Sequence, residues 1–441
     1  MTMRKMMMAA CVLFASALLA VSVQAESKAR IVRLSDVQGS VQMDRGTGDG
    51  FDKAFLNMPV VEASRLKTGD DGRAEVEFED GSTLRVLPGS ELEFTRLALG
   101  DDGAKLSAIQ IAAGLVYVNF RGRKSDPITL SFGRESLTVT EPAHFRVGLD
   151  RERATVAAIK GRVAVSGASG EVAVEQKHSA TFDLADDRYE VAKNYEELAS
   201  DAWDREQGEY HDRYASRGNS YSGSPYAYGM SDLNYYGNFM MVPGYGWGWQ
   251  PYFLDASWSP YQDGGWMYYP GSGYMWVSSY PWGWMPYRYG NWAFVPGYGW
   301  IWQPGYWNTW YALPRVINPP ARTAVPVPPT RSHGTVMVGR GLSINPPAGF
   351  PRKVLIAPGS AGLGVPRGTV KDLDRASREV SRINRPVTVA TEPNGRIAPP
   401  RRATTTSPGS HTAWPSASPS STMPSAPPAR TSRPVRSTKP H

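Results

Sequence analysis

Few residues in this 441-residue chain have the type and spacing to do chemistry, and most of the chemistry they suggest is excluded by what surrounds them. His144, in Glu141-Pro142-Ala143-His144, is the best placed general base, at the start of an expected strand, yet no partner stands at a motif spacing from it. Three of the other five histidines (His333, His411, His441) fall in a Pro- and Ser-rich end. The one cysteine, Cys11, lies in an apolar N-terminal run, so a chain trimmed of that run has no thiolate nucleophile, disulfide or Cys-ligated zinc. There is no His-x-x-x-His or Cys-x-x-Cys pair. The Gly-rich segments do not join a strand to a helix as a nucleotide phosphate requires. Arg121-Gly122-Arg123-Lys124 could hold an anion but has the composition of a solvated turn. The run from Asp44 to Asp52 is rich in oxygen ligands without the spacing of a calcium loop, and reads as a polar hairpin loop. The chain is therefore expected to be non-enzymatic, with no catalytic, metal or cofactor residues.

Aromatic rings offer the remaining chemistry. Residues 236–251 (YGNFMMVPGYGWGWQP) and 289–304 (YGNWAFVPGYGWIWQP) share 12 of 16 positions at an offset of 53. A degenerate copy around Gly264-Gly265-Trp266 halves the period to 26–27 residues. Units this short bury an apolar face only by stacking on one another. Residues 247–310 hold 12 of the 14 tryptophans. Trp247, Trp249, Trp266, Trp276, Trp282, Trp284, Trp300 and Trp302 have two uses. They can fill a core that is short of Val, Ile and Leu, or they can present flat faces to the sugar rings of peptidoglycan or exopolysaccharide. The shortage of aliphatics over 218–313 favours the core. The Pro-Gly and Gly-x-Trp alternation predicts short β-hairpins.

The ends of the chain bear on location. Arg4 and Lys5 precede the apolar run Ala9–Val23, and Val23-Gln24-Ala25 fits a signal-peptide cleavage site, with cleavage after Ala25. The apolar run is shorter than the ~20 residues that span a bilayer, so the mature chain is expected to carry no transmembrane segment. Export without disulfides points to the periplasm, envelope or surface of a Gram-negative-type bacterium. The net charge of +7 is unevenly divided: residues 318–441 carry 18 Lys+Arg against 4 Asp+Glu. That end, rich in Pro, Ser and Arg, is expected to be a disordered basic tail attracted to anionic envelope surface rather than to nucleic acid. Within it, Val370, Leu373, Val380 and Ile383 approximate a helical stripe, which a chance cluster would equally explain.

Residues 31–183 alternate apolar and polar positions with turn signals every 8–12 residues, the pattern of an all-β domain. Asp36-Val-Gln-Gly39, Leu66-Lys-Thr68-Gly69-Asp70, Gly72-Arg-Ala74 and Phe78-Glu-Asp80-Gly81-Ser82-Thr-Leu84 resemble the FecR family of periplasmic domains over about residues 31–165. The resemblance implies a β-solenoid-like or two-layer β module that contacts other envelope components. In the iron-uptake regulators of that family the domain follows a cytoplasmic anti-sigma segment and a membrane helix. The signal peptide in their place argues against direct control of a sigma factor. The aromatic block resembles an uncharacterised Trp/Tyr/Gly-rich repeat family that often follows FecR-like domains.

The expected layout is a mainly β chain: signal peptide 1–25, FecR-like domain 26–185, helical linker 186–217, aromatic hairpin repeats 218–317 and tail 318–441. In the linker, Val191, Tyr195, Leu198 and Ala202 would form the buried stripe after N-cap residues Asp186 and Asp187. The function expected is that of an envelope interaction or scaffold protein whose partner is an envelope protein or polysaccharide. Carbohydrate binding, or signal sensing through a separate membrane partner, are the alternatives.

Overall fold

The computed structural model describes residues 30–392, apart from 169, 187, 216–221, 223, 306–310, 331–333, 344–345, 347–348 and 350. The expected cleavage site after Ala25 and the end of the tail lie outside the described residues. Alternation over 32–192 produces seventeen strands. They are β1 (Val32–Gln38), β2 (Val41–Asp44), β3 (Asp52–Lys53), β4 (Pro59–Val60), β5 (Arg65–Thr68), β6 (Arg73–Glu77), β7 (Thr83–Val86), β8 (Glu91–Leu99) and β9 (Lys105–Phe120). There follow β10 (Ile128–Phe132), β11 (Glu135–Val139), β12 (Ala143–Leu149), β13 (Arg153–Lys160), β14 (Val163–Gly167), β15 (Gly170–Val174), β16 (Ser179–Asp183) and β17 (Tyr189–Ala192).

These strands make two layers. One runs β3-β2-β5-β8-β9-β10-β11-β14-β15. The other runs β4-β1-β6-β7-β9-β12-β13-β16-β17. After its first strand each layer advances in chain order, so the module is a flattened solenoid and a two-layer sandwich at once. The long β9 crosses from the first layer to the second, which makes the hydrogen bonding continuous through all 17 strands. The crossing falls at Gly114, whose φ is +97° and where a Cβ would lie 2.1 Å from Ser90 Oγ, so only glycine fits. Between the layers Leu66, Leu92, Ile111 and Leu130 meet Val76, Leu84, Val118 and Phe145, all buried. Each such side chain contributes about 1.5–3 kcal/mol by leaving water.

The second layer's other face carries Arg33, Ser35, Glu75, Glu77, Arg85, Tyr117 and Arg146, the alternate residues of the same strands. Such a face reads as solvent-facing, yet all seven side chains are buried. Two bodies cover it. One is helix α1 (Ser200–Tyr214), whose inward stripe is Trp203, Asp204, Gln207, Tyr210, His211 and Tyr214. This corrects the expected linker helix. It starts fourteen residues or so after Asp186, Val191 lies exposed in strand β17, Ala202 is exposed, and the stripe that packs is polar and aromatic.

The second body is the aromatic module. Helix α2 (Met230–Tyr236) leads into three hairpins: β18 (Gly237–Val242) with β19 (Gly246–Pro251), β20 (Asp263–Tyr269) with β21 (Gly273–Ser278), and β22 (Asn291–Val295) with β23 (Gly299–Gln303). The period is exact in space. The inner cross-strand pairs are Phe239–Trp249, Trp266–Trp276 and Trp292–Trp302. Two residues before each of those first-strand partners stands a glycine, Gly237, Gly264 or Gly290, where a Cβ would meet the second-strand indole at 2.3, 2.4 and 2.7 Å. Each indole thus occupies space that only a glycine leaves free. The first and third hairpins join through β19 and β23 at Trp249↔Trp302, which are equivalent residues of the repeat. Gln250 Nε2 donates to Tyr298 O at 2.6 Å, and its equivalent Gln303 donates to Tyr245 O at 2.8 Å. The two copies are therefore related by a local two-fold axis.

Among the described residues of the basic end, strands and a helix form as far as Ala390, which corrects the expected disorder for those elements. Strand β24 (Arg315–Ile317) adds to β22, and β25 (Thr335–Gly339) adds to β20. Strands β26 (Lys353–Ile356) and β27 (Val387–Ala390) pair around helix α3 (Leu373–Ile383). The stripe in 370–383 is a helix: Asp372 caps it by accepting from Arg375 N at 2.9 Å, and Leu373, Ala376 and Val380 are buried against the aromatic core. Ile383 stays exposed. The aromatic core also binds this segment by hydrogen bonds, from Trp282 Nε1 to Ala361 O (2.7 Å) and from Tyr236 Oη to Val365 O (2.7 Å).

Candidate functional site

The buried outer face of the second layer is a ladder of cross-strand neighbours. Register places Arg33 beside Glu77, and Glu75, Arg85, Tyr117 and Arg146 side by side across β6, β7, β9 and β12. Opposite charges at this spacing attract, and each closes an ion pair. Arg85 Nε lies 2.8 Å from Glu75, and its NH1 lies 2.6 Å from Asp204 of α1. His211, also of α1, places Nε2 2.9 Å from Glu75. Arg33 meets Glu77 at 3.2 Å and Asp232 of α2 at 2.6 Å. Arg146 meets Asp201 at 2.6 Å.

The ladder's last member arrives from the far end of the chain. Arg367 pairs with Glu75, donates from Nε to Gln207 Oε1 (3.0 Å) and from NH1 to Ser35 O (3.2 Å), and lies over the Tyr210 ring at 5.1 Å. Burial pushes the Glu75 carboxyl up, but Arg367, His211 and Arg85 overcome it and hold it well below the usual carboxylate range. Burial likewise opposes Asp204, which Arg85 and His144 hold low. Asp36 and Glu77 go the other way: burial raises both above the ordinary range against the pull of nearby arginines.

Where α1 leaves the ladder, a cavity of about 540 Å³ opens between the helix and strands β9, β12 and β13. His144 lines it, with Nε2 2.8 Å from Asp204 Oδ2, near enough for an ion pair but out of line for a hydrogen bond. The notable partner of His144 is thus sixty residues away in sequence, and only helix packing reveals it. Lys160, Glu197, Arg205 and Glu209 also line the groove. Arg121 is at the rim, paired with Asp212. Arg123 pairs with Asp126 at 3.3 Å, so the basic run of 121–124 is divided between two acids. The Asp44–Asp52 segment is the β2–β3 hairpin loop, with Asp44 on Arg65 and Asp52 on Arg45.

The structure moves the tryptophan candidates inside. Trp249, Trp266, Trp276, Trp282, Trp284, Trp300 and Trp302 are all buried, and only Trp247, 41% exposed, reaches solvent. Trp282 stacks on Tyr280 with centroids 5.1 Å apart and lies 4.8 Å from Trp249. The row of exposed rings that a glycan platform needs is absent among the described residues.

Residues 64–164 match the family described as FecR protein, and residues 230–323 match a family of unknown function, DUF6600. The chain carries a FecR domain followed by a DUF6600 domain. Strands β1–β4 precede the FecR match yet complete its two layers, and the segment bearing Arg367 lies beyond the DUF6600 match. FecR-family proteins are envelope-associated. No curated protein matches the chain. Two crystal structures of a candidate anti-sigma factor from Parabacteroides distasonis align with 32% of this chain and 63% of theirs, at 15% and 14% identity and a TM-score of 0.27. The alignment spans less than two thirds of those chains, and a superposition this small carries no argument about mechanism. No helix among the described residues is long and apolar enough to cross a membrane.

Proposed function

We propose that this chain is a non-enzymatic interaction protein of the bacterial envelope. Its FecR domain offers the groove beside His144 to an envelope partner, and its DUF6600 domain holds helix α1 in place as the groove's wall. The observation that carries this reading is the ion-pair ladder. It fastens α1, the FecR sheet and the Arg367 segment together and leaves beside α1 a concavity lined by the charges of Lys160, Arg205, Glu197 and Glu209. The groove lining contains no serine, threonine or cysteine, so a hydroxyl or thiol of the Ser-His or Cys-His type does not face His144 there. A mixed-charge rim suits a polar protein segment, recognised by position of charge rather than by buried area.

The test is site-specific photo-crosslinking from position 160 in whole cells. A discrete adduct that disappears in Glu209→Lys supports the reading. A turnover abolished by His144→Ala would overturn its non-enzymatic part. Export belongs to the same proposal and is checked by N-terminal sequencing, which should begin at Glu26. Removing residues 393–441 should weaken retention on envelopes at low salt and leave retention at high salt unchanged.

A further inference from the structure

The DUF6600 domain contains a cation without a counter-charge. Arg288 follows a single 3-10 turn (Met285–Tyr287) and is fully buried. Its backbone is engaged, since Tyr311 N donates to Arg288 O at 2.7 Å. Its side chain is not: Nε, NH1 and NH2 all lack a hydrogen-bond partner. The guanidinium lies 4.7 Å from the Trp284 ring centroid, and Tyr228 and Tyr269 are close enough to act on it electrostatically. Tyr269 is itself buried with an unpartnered hydroxyl, and on its ring sits a second buried cation, Arg45, at 5.7 Å.

The neighbouring acids are committed elsewhere. From Tyr226 to Leu313 the sequence has three acidic residues and no glutamate. Asp232 serves Arg33, Asp263 serves Arg340 at 2.6 Å, and Asp255 accepts from Ser257. Across the interface Glu77 serves Arg33 and Glu79 serves Arg30. Arginine does not shed its proton to escape such a position. Facing an aromatic ring offsets only part of the cost of burying the charge and leaves five N–H donors unsatisfied. Water could satisfy donors but not the charge.

We propose that Arg288 and the Tyr269 hydroxyl hold a small monovalent inorganic anion, of the halide class, enclosed between the FecR and DUF6600 domains. The complete burial of Arg288 favours a small ion over phosphate or a carboxylate-bearing metabolite. Because the native state alone has the site, the anion stabilises it by mass action.

The test is urea unfolding of the full chain at fixed ionic strength, with chloride or bromide replacing gluconate. Above half-saturation, each tenfold rise in halide should shift the folding equilibrium about tenfold. Arg288→Met should abolish the dependence. If that variant does not fold, Tyr269→Phe, which keeps the cation, should weaken it, and bromide-grown crystals should show an anomalous peak against the wild-type guanidinium. Stability that is equal in halide and gluconate, or the absence of that peak, overturns the proposal.

Discussion

Arg367→Met tests whether the ladder fastens the domains. The substitution keeps the length of the side chain and removes the charge. Glu75 loses one of three close partners and keeps Arg85 at 2.8 Å and His211 at 2.9 Å. Ser35 O and Gln207 Oε1 lose their donors inside the protein. Breaking a buried pair by removing one partner costs about 3–5 kcal/mol. The two surviving partners of Glu75 pull the figure down, and the two stranded acceptors, at about 1–3 kcal/mol each, push it back up. The expected loss is therefore about 3–5 kcal/mol, read from urea unfolding followed by tryptophan fluorescence. Hydrogen exchange should show the loss first in β26, α3 and β27, which Arg367 ties to the FecR sheet. Pairing the change with Glu75→Gln in a double-mutant cycle should give a coupling of at least about 1.5 kcal/mol. A cost below about 1 kcal/mol, or two changes that simply add, would refute the assignment of Arg367 as the fastening residue.

Acid should unfold the protein through Glu75 and Asp204. Both have folded-state values below their unfolded ones, so their stabilisation is complete above the ordinary carboxylate range and lost as pH falls through the depressed values. Asp36 is raised, so it contributes the opposite slope: Asp36→Asn should stabilise the protein at neutral pH and leave the acid limb intact, as a pH series of unfolding midpoints will show. Gly264→Ala should cost about 1–3 kcal/mol in a thermal melt, because the new methyl would lie 2.4 Å from the Trp276 ring and 2.6 Å from Val277 O. Trp282→Ala should cost about 3–5 kcal/mol and Trp247→Ala less than about 1 kcal/mol, a contrast that separates core from surface tryptophans in the same assay.

The fold was legible where one face of an element is apolar. Val76, Leu84 and Phe145 alternate with polar residues, and the layers follow from that period. The repeat of 26–27 residues also carried over, since a glycine and a tryptophan at fixed spacing specify the same hairpin three times. What alternation concealed is the other side of the same strands. Arg33, Glu75, Glu77 and Arg85 look like a solvated face because composition does not register that their charges cancel pairwise. The helix suffered the same fate: Asp204, Gln207 and His211 occupy its packed stripe, and an apolar criterion selects Val191 and Ala202 in their place. Arg367 was invisible for a different reason. Its surroundings are Pro- and Gly-rich, and its ordering depends on partners about 290 residues away. The pairing of His144 with Asp204 likewise needed three-dimensional contact.

The two-fold axis through Trp249 and Trp302 has a consequence for how the hairpins came to differ. Equivalent residues that face one another across an axis are what a symmetric dimer presents, and here one chain supplies both halves. In a dimer every position must tolerate its own image. A fused pair is released from that rule. Gly248 and Ile301 are images of each other, and the space a Cβ on Gly248 would occupy lies 3.4 Å from Ile301 Cδ1. Two glycines there would leave a gap, and two isoleucines would crowd the axis. One of each fills it, an arrangement open only to copies that are encoded separately. The sheet retains the geometry of a dimer and has the freedom of a single gene product to specialise its halves.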